Sequence, residues 1–176
     1  MITEQPDFIY EPNHSAVSLR IFGDALDPDE LTALLKCQPS QSHRKGEHIL
    51  RRDGSSIWNE NTSRYSMRKT GMWSLQAQAS EPADIEGQMQ AVLAQLPSSP
   101  ETWNTISQKF RFKIEFFCGY FMRRENEDLV MSAAILKELP QRHIQIWFDM
   151  YAAMEEELRE VREFYEQQDS ISNTSK

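Results

Sequence analysis

The amino-acid sequence predicts an α+β fold: a two-layer, ferredoxin-like sandwich whose antiparallel or mixed sheet carries its helices mainly on one face. Three observations predict it. Short runs with the two-residue alternation of half-buried strands recur, separated by runs with the three- and four-residue spacing of amphipathic helices. The order reads β-α-β-β-α-α-β-α-β, followed by a further helix. The runs are too short and mixed for a doubly wound parallel sheet, which leaves helices segregated to one side of a sheet. The chain of 176 residues, 39% hydrophobic and 26% charged, is long enough for one domain with a buried core, and its composition is not that of a disordered chain.

Residues 1–15 carry Pro6, Pro12 and Asn13 without a sustained period and read as an irregular arm. The α+β domain is read over residues 16–151. Its first strand is Val17–Phe22, with Val17, Leu19 and Ile21 on one face and Gly23 ending the run. Asp27 then suits a helix N-cap, Pro28 the first helical position, and Glu30 completes capping-box spacing. Leu31, Leu34 and Leu35 give that helix its apolar face, and Pro39 stops it.

Residues 40–70 differ from the rest. Arg44, Lys45, Arg51, Arg52, Arg64, Arg68 and Lys69 stand against Glu47, Asp53 and Glu60, about +4 within a chain of formal charge −8. A short strand is predicted near His43–Ile49, then a loop or hairpin through Arg64, with Gly46 and Gly54 as punctuation. Alternation resumes in the next strand, where Trp73, Leu75 and Ala77 share a face.

Ala83–Leu96 repeats Ile85, Met89, Val92, Leu93 and Leu96 at helical spacing until Pro97 and Pro100 break it. A short helix follows over Glu101–Lys109. Phe112–Phe121 is the most apolar strand: Phe112, Ile114, Phe116 and Cys118 point one way, and Phe117 shares the other face with Lys113 and Glu115. Such a strand suits the sheet interior. Ser132–Leu139 reads as a helix closed by Pro140. His143–Tyr151 is the last strand, with Gln145, Trp147, Asp149 and Tyr151 on the face opposite Ile144, Ile146, Phe148 and Met150.

From residue 152 to 168 the period becomes helical, with Met154, Leu158, Val161 and Tyr165 as a stripe beside a glutamate-rich face. The stripe is too short for a coiled coil, so docking on the chain's own sheet is expected, with a weak dimer as the other outcome. Residues 169–176 read as a disordered tail.

Several segments together resemble the bacterial family called domain of unknown function 4279. They are Leu19–Gly23, Leu26–Thr32, Pro39 through His43-Arg44-Lys45-Gly46-Glu47, Gly71–Leu75 and the closing Asp149-Met150-Tyr151. The resemblance spans about residues 16–151 and implies a bacterial domain without implying an activity. The helix from Ala152 onward looks like an addition to the family's usual length.

Charge and motifs narrow the chemistry. A net charge of −8 disfavours general nucleic-acid binding, because phosphates are repelled at long range. Met1–Tyr10 does not read as a secretory leader, and no apolar run approaches a membrane span, so a cytoplasmic location is expected. Cys37 and Cys118 form no CxxC pair, and reduced thiols are expected. No nucleophile elbow, phosphate loop or dinucleotide fingerprint is present. His43, His48 and Cys37 do not show metal-ligand spacing on one element. No metal, cofactor or catalytic residue is therefore expected.

Three functional readings follow. In the first, the chain is a non-enzymatic binding protein, of the type that gives immunity by holding a basic toxin, with Asp149, Glu155, Glu156 and Glu157 facing the partner. In the second, the basic segment His43, Arg44, Lys45, Arg51 and Arg52, with Trp73, binds an anion or small ligand through charged and backbone donors. Trp147 and Tyr151 join the candidate binding residues as aromatics on a second sheet face. The third is an enzyme of unrecognised type, for which residues scattered in sequence would have to converge.

Overall fold

The computed structural model describes residues 13–152, beginning at the edge of the first strand. Its elements in order are β1 (His14–Gly23), α1 (Pro28–Leu35), β2 (Gln41–His43), β3 (Trp58–Asn59), β4 (Arg64–Tyr65), β5 (Gly71–Gln76), α2 (Ile85–Leu93), α3 (Pro100–Asn104), β6 (Lys113–Phe121), α4 (Ala133–Gln141) and β7 (Ile144–Tyr151). A π-helical turn, Thr105–Lys109, continues α3.

Five strands form one sheet in the order β2-β5-β1-β6-β7, and β3 and β4 form a separate two-stranded piece. β2–β5, β5–β1 and β1–β6 are antiparallel, whereas β6–β7 is parallel. The sheet is thus mixed. Its first four strands reproduce the split β-α-β arrangement of ferredoxin-like folds. The β6–α4–β7 crossover then adds a fifth strand at the edge, as parallel neighbours require.

All four α-helices of the described residues contribute to a single core against one sheet face. Leu31 and Leu35 of α1, Met89 and Val92 of α2, Trp103 of α3 and Ile135 and Leu139 of α4 pack with Val17, Leu19, Ile21, Trp73, Ile114, Phe116, Cys118 and Ile144. Register makes this inevitable once the alternation is set. Leu19 lies opposite both Leu75 and Phe116, and Ile114 opposite Ile144, so the apolar phases of all four strands coincide. A large side chain buried this way stabilises the fold by roughly 1.5–3 kcal/mol.

The helix starts follow local chemistry. Asp27 caps α1 by accepting from the Asp29 N–H at 2.9 Å, with Pro28 at the first helical position. Asp84 caps α2 through the Gly87 N–H at 2.9 Å, and Ser132 caps α4 through Ile135. Glu86 of α2 also accepts from the Ser132 N–H at 2.7 Å and its hydroxyl at 2.6 Å, which ties the two helices together. Gly71 is required by close approach: a Cβ there would stand 2.8 Å from the Gly23 carbonyl oxygen and 3.0 Å from that of Leu26.

Several boundaries differ from expectation. β1 begins at His14, inside the segment read as an irregular arm, because His14 and Ser15 pair with Phe121 and Tyr120. The strand predicted near His43–Ile49 is instead Gln41–His43; a turn from Arg44 to Glu47, with Gly46 at φ +83°, ends it. α1 stops at Lys36 in the left-handed region, before Pro39. α4 runs through Pro140 to Gln141, since a proline in the last turn forfeits only its own hydrogen bond. The amphipathic segment 153–168 and the tail lie outside the described residues. No helix of the described residues is long and apolar enough to cross a membrane.

Candidate functional site

The sheet face opposite the helices is set by the same alternation that builds the core. Odd-numbered β6 and β7 residues and even-numbered β1 residues point there. Pairing aligns them in rows: Arg20 with Glu115 and Gln145, Ser18 with Phe117 and Trp147, and His14 with Phe121 and Tyr151. Among the described residues no helix covers this face.

Its centre is polar. Glu115 is only 2% exposed, yet it lies on the helix-free face. Its carboxylate accepts from Lys113 Nζ at 2.8 Å and Gln145 Nε2 at 3.1 Å. Beside it, the Arg20 guanidinium sits 3.6 Å from the Phe117 ring centroid, and its Nε donates to Ser18 Oγ at 3.2 Å. Burial lowers the Arg20 pKa, and the nearby Glu115 and Asp149 carboxylates oppose that shift. The guanidinium keeps its charge in any case.

The rim is aromatic. His14, Phe121 and Tyr151 stack across three strands, with centroids 4.2 and 4.6 Å apart and planes 6° from parallel. Phe117 and Trp147 meet at 6.3 Å. Trp147 is 52% exposed and Tyr151 46%. The Tyr151 hydroxyl donates to Asp149 at 2.7 Å, and that bond raises the phenol's pKa. Fixed charges, hydrogen-bonding groups and rigid half-exposed rings are the ingredients of a contact surface.

The thiols are poorly placed for nucleophilic work. Burial pushes Cys118, on the core face, up to about 12, and burial also raises Cys37. Among the described residues no three His, Cys, Asp or Glu side chains gather as metal ligands.

The sequence-predicted residues divide. Trp147, Asp149 and Tyr151 come together on the helix-free face. Trp73 does not join a surface: it is fully buried, packed in the core with its indole N–H donating to Thr32 at 3.1 Å. That corrects its assignment as a binding residue, and the cause is phase, since Trp73 pairs with Ile21 on the core side. The basic segment is split. Arg44 is held by Asp27 at 2.7 Å and Asp29 at 2.6 Å, and Lys45 by Asp24 at 2.5 Å, so the first turn of α1 and the turn before it neutralise both cations. His43 is partly buried; burial lowers its pKa, and Arg68 adds to the effect. Arg51 and Arg52 remain exposed beyond that cluster. Glu155, Glu156 and Glu157 lie outside the described residues.

Arg20, His14 and Phe121 were not singled out by sequence reasoning. A legible signal existed, because Lys113, Glu115 and Phe117 share one phase of β6. Placing Arg20 beside them required the β1–β6 register. A separate cleft of about 490 Å³ between α2 and α4 is lined by Gln90, Leu93, Ser98, Ile135, Glu138 and Arg142, among others.

Fold and face together define a two-layer α+β sandwich with one charged and aromatic sheet side that no helix of the described residues covers. The chain belongs to the family described as domain of unknown function (DUF4279), whose model matches residues 12–153. Searches of curated proteins and of solved structures returned no match.

Proposed function

We propose that this chain is a non-catalytic binding protein of the immunity type, which neutralises a basic protein toxin through the helix-free sheet face. The observation that carries the reading is the exposure of Trp147 and Tyr151 beside Asp149, on a face whose centre is stiffened by buried Glu115. Half-exposed aromatics on a rigid sheet make contact at low conformational cost, which is the usual make-up of interface hot spots. The net charge of −8 steers a basic partner towards the molecule and speeds encounter. Glu155, Glu156 and Glu157 follow Tyr151 by only four to six residues in the sequence.

The test is direct. The product of the adjacent gene is co-expressed with this chain, and both binding and protection of the host are measured. Trp147→Ala combined with Tyr151→Ala abolishes both if the face is the contact. If the two proteins neither bind nor show protection, the immunity reading fails.

A small-anion reading is favoured by a different observation. Arg142, 7% exposed, lines the α2–α4 cleft, and its Nε has no hydrogen-bond partner among the described residues. Glu138 already pairs with the same guanidinium, which weakens the cleft's attraction for an anion. A thermal-shift series with phosphate, nucleotides and carboxylates separates the readings, since only this one requires a shift.

A further inference from the structure

Residues 47–68 form a small lobe away from the five-stranded sheet. Trp58 pairs with Tyr65, His48 bridges to Met67, and Leu50 bridges to Ser56. Opposed residues in antiparallel pairs share a face, as do residues two apart on one strand. Those three pairings therefore put His48, Leu50, Ser56, Trp58, Tyr65 and Met67 on the same side. The contacts agree: His48 stacks on Tyr65 at 5.4 Å, Tyr65 meets Trp58 edge-on at 5.1 Å, and His48 Nδ1 lies 3.0 Å from Ser56 Oγ.

Leu50, Trp58, Tyr65 and Met67 are each about half exposed, so four large apolar side chains lie together in solvent. Cations frame them. Arg51 follows Leu50, Arg52 comes next, and Arg64 precedes Tyr65; all three are exposed and none makes an ion pair among the described residues. This distinguishes them from Arg44 and Lys45, which are spent on α1 and the turn before it. Isolated exposed hydrophobics need no explanation, but a contiguous patch does.

We infer that this lobe is a second interaction surface, distinct from the sheet face, and that it takes an acidic amphipathic segment of a protein partner. Charge complementarity sets the sign, because within the lobe Arg51, Arg52, Arg64 and Arg68 outnumber Glu47, Asp53 and Glu60 inside a chain of −8. The aliphatic Leu50 and Met67 set the class, because they offer nothing for a nucleobase to stack on and suit apolar side chains. Size sets the form: six side chains are far fewer than the roughly 20 to 30 residues a side of a standard interface, and match a helix or extended peptide.

The experiment titrates the full chain into three fluorescein-labelled probes and reads anisotropy. The probes are a helical peptide of glutamate and leucine, its lysine-for-glutamate counterpart, and a short oligothymidylate. The acidic peptide binds best, and added salt weakens it. Arg51→Glu with Arg52→Glu weakens it by about tenfold or more, as does Trp58→Ala with Tyr65→Ala. Both arginines are exposed, and the Arg51 guanidinium donates only a long 3.4 Å hydrogen bond to Ser55 Oγ among the described residues, so their effect is readable even where the aromatic variant disturbs the lobe. Trp147→Ala leaves peptide binding unchanged, which separates this surface from the sheet face. Equal binding of the two peptides, tighter binding of the oligothymidylate, or parent-like binding by the arginine variant overturns the inference.

Discussion

Arg20 and Glu115 are direct partners across β1 and β6, opposite charges side by side on the sheet face that no described helix covers. Neither is an ordinary surface residue. Glu115 is nearly inaccessible, although Lys113 and Gln145 reach it. Glu115 is buried and Arg20 partly so, with the Arg20 guanidinium lying over the Phe117 ring of the adjacent row. A charge sequestered within a sheet face is tolerated only when it is paired and hydrogen-bonded.

Glu115→Ala leaves Lys113 and Gln145 without their shared acceptor and Arg20 without its nearest carboxylate. A loss of about 2 kcal/mol is expected, the scale of a hydrogen bond to a charged group. Urea unfolding reads it as a lowered midpoint. Glu115→Gln retains an acceptor oxygen and should lose less.

Trp73 and Trp147 offer a contrast between the two faces. Trp73→Ala opens a core cavity and removes the bond to Thr32, with an expected cost of about 3–5 kcal/mol. Trp147→Ala should change stability by no more than about 0.5 kcal/mol. Yet it should weaken partner binding by tenfold or more, on the scale of a hot spot. Urea midpoints and a binding isotherm on the same two variants decide the matter.

Alkaline stability should fall in a defined window. Burial pushes both the Cys118 thiol and the Tyr120 phenol up to about 12, and Glu127 adds to the shift at Tyr120. Both groups ionise more readily in the unfolded chain. Their contribution is therefore complete below about pH 9 and is lost as pH rises towards 12. Urea midpoints measured across that range should drop, and Cys118→Ala should flatten part of the slope.

Acid should loosen one turn before the whole fold. Burial alone would raise the Glu127 pKa, but Asn13, Tyr120 and the Arg123 and Arg124 N–H groups all donate to its carboxylate and hold it below the usual range. A depressed carboxylate stabilises above its unfolded pKa, and the effect is lost as pH falls through the folded one. Amide exchange at Arg123 and Arg124 should quicken below the ordinary carboxylate range, after correction for intrinsic rates. Glu127→Gln should show that faster exchange already at neutral pH.

The fold was legible because its signals are local. Asp27 and Pro28 mark a helix start, and Leu31 and Leu35 mark its buried face, within a few residues of one another. The phase of β6 was legible too, with Phe116 and Cys118 opposed to Glu115 and Phe117. The candidate site was only half legible. Trp147, Asp149 and Tyr151 lie on one strand and can be read as a set. Arg20 is 127 residues before Trp147 and joins them only through strand register.

By itself, then, the sequence determined the α+β class, the order of the elements, the apolar phase of each strand and the family. Those properties depend on the three- or two-residue periods of short segments. Tertiary structure alone decided which charges are available. It matched Lys45 with Asp24 and Arg44 with Asp27 and Asp29, and among the described residues gave Arg51 and Arg52 no carboxylate partner. It also sent Trp73 inward and Trp147 outward, though both lie in alternating strands. The physical reason is common to all these cases: an ion pair or a shared face joins residues far apart in sequence, and only the packed sheet and its loops fix their distance.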